Sequence, residues 1–115
     1  FMMYADNGGN NITRLTFTGL VSGCYIATIG YYNAAGQGYG GAMFFVSGYQ
    51  TATYTYDVHE IRRWDGAGNS DISGVTTNGS NWYIEITNTH GSYNGGGEVN
   101  LDGDAQATFA VTYSQ

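Results

Sequence analysis

Lysine and proline are absent from these 115 residues, and cysteine occurs once. Three arginines stand against nine acids, for a net charge of −6. Nucleic-acid phosphate calls for a basic field, so a nucleic-acid partner is not expected. An acidic surface also disfavours anionic membranes, and no apolar run approaches the length of a spanning helix. A lone Cys24 cannot form an intrachain disulfide. It sits in "GCYIATIGYY" without a nearby cation, so it is expected to be a buried, inert thiol. Without proline, the chain must be punctuated by its nineteen glycines and its asparagines. The longest glycine-free run, Tyr49 to Asp65, is rich in Thr and Tyr, which favour pleated surfaces. Helix is therefore not expected anywhere, since each glycine inside one costs about 1 kcal/mol relative to Ala.

Strands account for what is present. Thr13–Thr18 alternates, with Leu15 and Phe17 on one face. Cys24–Tyr32 and Gly41–Ser47 are apolar on both faces, as for strands covered twice. Thr51–Arg62 alternates, with Tyr54, Tyr56 and Val58 together. Asp71–Thr76 is a short edge candidate. Asn81–Asn88 groups Trp82, Ile84 and Ile86, which makes Trp82 a core residue. Glu98–Leu101 is short, and positions 105–113 alternate through Ala107, Phe109, Val111 and Tyr113. About eight strands at this spacing suit one all-β domain, an antiparallel β-sandwich or jelly roll. "LDGDA" at positions 101–105 predicts a hairpin turn, because Asp-Gly tolerates positive φ. The polar, Gly/Asn-rich span 1–12 reads as a lead-in from a preceding stalk, and 13–115 as the domain. Aliphatic residues are scarce and eleven tyrosines supplement them. Such a core is helped by burial against copies of the same chain. Tyr54, Tyr56 and Val58, or Phe44 and Val46, are candidate strips for that contact.

Chemical motifs are few. Asp65, Asn69 and Asp71 in "WDGAGNSD" are spaced loosely like a calcium loop, but no bidentate Glu closes it; an Asx-rich turn is the simpler account. The two histidines, His59 and His90, lack the converging ligands of a metal site, unless copies bring one His each to a shared axis. No nucleophile elbow occurs. Neither an enzyme, a metal nor a cofactor is expected. Two loops stand out: "NAAGQGYGG" at positions 33–41 and "HGSYNGGG" at 90–97. Each sets a Tyr among glycines beside an amide, Gln37 with Tyr39 and Asn94 with Tyr93. Tyrosine offers a large amphipathic surface at low rotamer entropy, and amides add adaptable hydrogen bonds. Aromatic faces with amides also suit the C–H patches and hydroxyls of neutral glycans. The plainer account is two flexible connections carrying ordinary tyrosines. Trp64, at a strand end beside Arg62 and Arg63, is either packed within the fold or free to stack on a ligand. Gln37, Tyr39, Trp64, Tyr93 and Asn94 are the candidate receptor-binding residues.

The ordered set "LTFTGL…YIATIGYYNAAGQGYGGAMFFVSGYQ…WYIEITNT…GEVNLDG" resembles the C-terminal tip domains of bacteriophage tail fibres. The resemblance runs from Thr13 onward and is one of texture and strand order, so it carries no site residue with it. It implies a homotrimer on an extracellular virion, contact with other virion proteins, and attachment to a host-surface glycan or porin. Two alternatives are a structural virion decoration and the carbohydrate-binding module of a glycan-degrading enzyme.

Overall fold

The computed structural model describes residues 1–6, 8, 11–18, 22–33, 38–50, 54–65, 70–103 and 107–114, with backbone alone at 50, 54, 65 and 70. Among them there are ten strands and no helix: β1 (Met2–Met3), β2 (Asn11–Thr18), β3 (Ser22–Asn33), β4 (Tyr39–Gln50), β5 (Tyr54–Asp65), β6 (Ser70–Ile72), β7 (Thr76–Asn78), β8 (Asn81–Asn88), β9 (Gly95–Gly103) and β10 (Thr108–Ser114). They form two antiparallel sheets packed as a sandwich. The long sheet runs β1-β9-β3-β4-β5. The short sheet runs β10-β2-β8-β6, with β7 also on β8. Because β3, β4 and β5 form a meander within one sheet, a sandwich describes the topology better than a jelly roll. Twelve-residue strands at about 3.3 Å per residue account for the 46 Å long axis.

Period-two alternation builds the core. In β2, buried positions alternate with half-buried ones, and β8 answers in the same rhythm. Their register sets Leu15 opposite Ile84 and Phe17 opposite Trp82. From the long sheet, Ala27, Ile29, Phe44 and Val46 close the layer from the other side, all at 2% exposure or less. Trp82 is buried at its centre, stacked on Phe17 with centroids 4.1 Å apart and tilted against Phe44. Its indole N–H donates to Tyr25 Oη at 2.8 Å.

Several expectations need correcting. Cys24 is exposed: Tyr25, Ala27, Ile29 and Tyr31 take the inward positions of β3, so strand parity turns Cys24 outward. Strand β4 is covered on one face only, and Phe45 on the other is 37% exposed. Phe44 and Val46 are core rather than contact strips, and Tyr56 and Val58 pack half-buried against the same core. The side chain of Tyr54 lies outside the described residues. β9 and β10 belong to different sheets, so they do not form the expected hairpin. The expected edge strand at 71–76 is split into β6 and β7. Between them Ser73 holds β8 through its N–H to Glu85 O and its Oγ, which accepts from Glu85 N–H. Within the span 1–12, Met3 is fully buried and β2 already starts at Asn11.

Burial pushes the Tyr25 phenol above its ordinary pKa, with the bond from Trp82 acting the other way, and burial raises Tyr56 too. The fold thus favours the neutral phenols. Their stabilisation is complete below the unfolded-state value of about 10 and is lost as pH rises through the folded-state values. Chemical denaturation from pH 8 to 11 should show a midpoint that falls above about pH 10, with a shallower fall in the Tyr25→Phe/Tyr56→Phe pair. A slope equal in both proteins would contradict this.

Candidate functional site

The hairpin joining β3 to β4 brings the two glycine-rich segments to one end of the long sheet. Tyr32 and Tyr39 are direct cross-strand partners, and Tyr32 pairs on its other side with Gly96. Residues Asn33, Tyr31 and Ile29 point inward, so Tyr32 faces solvent, 58% exposed, beside Tyr39 at 50%. These rings border a cleft of about 810 Å³. Its floor is backbone: Gly30, Gly40 and Gly95 to Gly97. Phe1, Met2, Tyr31, Asn94 and Glu98 complete the lining.

Glycine at 97 is a steric requirement. A Cβ there would collide with the Phe1 ring and the Gly30 carbonyl. Phe1 lies there because it extends the β1 pairing: its nitrogen donates to Gly97 O at 2.9 Å, and Gly97 N–H donates back to Phe1 O at 3.0 Å. The run Gly95–Gly97, read from sequence as loop, is therefore the first turn-free stretch of β9, held between β1 and β3.

The segment between β8 and β9 is held by side chains. Asn88, fully buried, donates through Nδ2 to Tyr4 O and Tyr93 O and accepts from His90 N–H. His90 Nδ1 accepts from the N–H groups of Ser92 and Tyr93. Asn94 Oδ1 accepts from Ala5 N–H at 2.7 Å, tying the cleft wall to the N-terminal segment.

Of the candidate residues, the structure brings Tyr39 and Asn94 into the cleft. Tyr93 is half exposed nearby, edge-on to the His90 ring, but does not line it. Trp64 lies across the outer face of β4, so close over Gly41 that a Cβ would sit about 2.6 Å from its Cζ2. It is 41% exposed and outside the cleft. Gln37 lies outside the described residues, as does Asn69 of the supposed calcium loop. Tyr32, Glu98, Phe1 and Met2 were not foreseen. The signal for Tyr32 was the hairpin itself, since counting back from Tyr39 across the loop pairs the two rings. Glu98 is the sole carboxylate among the described lining residues, and positions 34–37 contain none. Among the described residues no three His, Cys, Asp or Glu converge as metal ligands, and no helix is long and apolar enough to cross a membrane.

No family model, curated protein or solved structure matches this chain.

Proposed function

We propose that the chain is a non-enzymatic attachment module, the tip domain of a phage tail fibre, which binds a neutral glycan of the host surface in this cleft. One observation carries the reading: Tyr32 and Tyr39 stand side by side over a glycine floor, next to Asn94 and Glu98. Two adjacent aromatic faces suit the C–H patches of a sugar chain. The amide and carboxylate suit its hydroxyls, and bare backbone lets the ligand approach closely. The cleft volume falls within the usual range for small-ligand sites. Hydrolysis of a glycosidic bond ordinarily uses a pair of carboxylates across the bond, and this lining supplies one. Recognition is therefore favoured over cleavage. Several such tips on one particle would give avidity without a tight single site.

Binding of the chain to a panel of purified bacterial surface polysaccharides tests the proposal. Tyr39→Ala should weaken binding about tenfold or more, as for an anchoring aromatic. Its unfolding midpoint should barely move, because the ring is exposed and makes no core contact. Periodate treatment of host cells should abolish adsorption if the receptor is a glycan and spare it if the receptor is a porin. Unchanged polysaccharide binding by Tyr39→Ala would remove the cleft from the proposal.

A further inference from the structure

The edges of the two sheets are finished unequally. An open strand edge presents every second N–H and C=O to any passing strand, and folded proteins blunt it by shortness, charge or a bulge. Three of the described edges follow that rule. β1 ends the long sheet with two residues. β5 ends it on the other side, but carries Asp57, Glu60, Arg62 and Arg63 and is bent by the bulge at Ile61. The far side of the short sheet is divided between β6 and β7, three residues each.

β10 has none of these devices. Its seven residues, "TFAVTYS", include no charge and no glycine. Thr, Phe, Val and Tyr all favour strand. It pairs with β2 over its whole length without a shift in register, and no described strand pairs with its other side. Every residue except Val111 is exposed. The strand also overhangs the core. Register with Phe17, Leu15 and Thr13 sets Phe109, Val111 and Tyr113 on the inward face, yet of these only Val111 packs against the core. Phe109 leans on Phe17 with centroids 6.0 Å apart, and Tyr113 meets Tyr4 edge-on at 4.9 Å. Both rings stay bare on the open side, at 40% and 45% exposure.

We infer that β10 pairs antiparallel with β10 of a second copy of this chain, about a twofold axis at Val111. A second copy fits because the strand is self-complementary in that register. Val111 meets Val111, Phe109 of each copy faces Tyr113 of the other, Ala110 faces Thr112, and Thr108 faces Ser114. Cross-strand aromatic pairs and Thr/Ser pairs are among the favourable kinds. Pairing about Ala110 or Thr112 would instead set one aromatic ring against Val111 and lose the other. The twofold keeps inward faces inward, so the two short sheets become one continuous sheet, with the bare rings of both copies gathered on its core side. Alternate residue pairs exchange two backbone bonds each, about six to eight in all. An uncharged edge also lets chains at net −6 approach with their like charges held apart. Such a contact is isologous and closes on itself, so the open edge is used up rather than left to recruit further strands. The pairing is distinct from the homotrimer that the resemblance implies, and it does not depend on the cleft.

Sedimentation equilibrium from micromolar to submillimolar concentration, with reductant present because Cys24 is exposed, should give twice the 12.3 kDa chain mass. Ala110 and Thr112 are exposed on the outer face and oppose each other across the twofold. Ala110→Lys/Thr112→Lys therefore sets like charges opposite each other twice and should weaken pairing about tenfold or more. Ala110→Lys/Thr112→Glu sets unlike charges there and should pair at least as well as the unaltered chain. Amide exchange in β10 should slow with concentration at alternate residues, those whose N–H points away from β2. A monomer or a trimer of the unaltered chain would overturn the inference. So would a dimer that Ala110→Lys/Thr112→Lys leaves unchanged, one that Ala110→Lys/Thr112→Glu weakens equally, or one whose β10 amides exchange as fast as in dilute solution.

Discussion

Trp82→Ala should lower the free energy of unfolding by roughly 3–5 kcal/mol, the usual range for deleting a buried aromatic. Three losses combine. The indole is 2% exposed, so its burial is forfeited. Its stacked contact with Phe17 ties β8 to β2 within the short sheet, its tilted contact with Phe44 joins the two sheets, and both disappear into a cavity. Tyr25 Oη loses its donor in a buried setting. A domain of this size has about 5–15 kcal/mol in total, so a third or more is at stake. Trp82→Phe separates the terms: it keeps most of the packing and should cost about 1–3 kcal/mol for the smaller ring and the stranded hydroxyl. Denaturant titration of the three proteins measures both. A Trp82→Ala midpoint close to that of the unaltered chain would mean that the sheets do not pack through this residue.

Asn88→Ala should have the second-largest effect, and it should reach the cleft. Asn88 is fully buried and makes three hydrogen bonds to the main chain, at Tyr4, His90 and Tyr93. Truncation strands those groups at about 1–3 kcal/mol each. Partial relief by water brings the expected cost to roughly 2–4 kcal/mol. The same bonds hold the segment that carries Asn94, and they hold Tyr4 near Ala5, whose N–H Asn94 accepts. Amide exchange at residues 90–95 should therefore accelerate more than in the β2–β8 core, and glycan binding should weaken beyond what stability loss predicts. Uniform acceleration across the chain would show that Asn88 serves the global fold alone.

The strands were legible where only one face was apolar. Asn81–Asn88 is both the sequence expectation and the observed β8, and the parity that groups Trp82, Ile84 and Ile86 identifies the core face without further help. Parity fails where both faces are apolar. In Cys24–Tyr32 and Gly41–Ser47 it cannot say which set faces inward, so it places Cys24 inside and covers both faces of β4, whereas Cys24 and Phe45 are exposed. The same ambiguity makes Phe44 and Val46 look available to a partner, whereas their neighbours Met43 and Phe45 are the outward residues. Gly95–Gly97 escaped notice as strand because three glycines have no side-chain pattern. Their extension comes from backbone pairing on both flanks.

The candidate site was half legible for the same reason. Tyr39 and Asn94 stood out through glycine context, which is local. Their meeting in one cleft depends on β9 lying beside β3, a pairing between residues more than sixty positions apart. So does the arrival of Tyr32 and Glu98 beside them.

By itself, the amino-acid order determined an all-β chain, its approximate strands and the inward side of those with a single apolar stripe, because alternation and turn chemistry act over a few neighbouring residues. Tertiary structure alone decided which strands became neighbours, which apolar face was left uncovered, and which side chains share a cleft. Those outcomes follow from register between distant segments and from competition among faces for one interior, neither of which is a property of any short stretch.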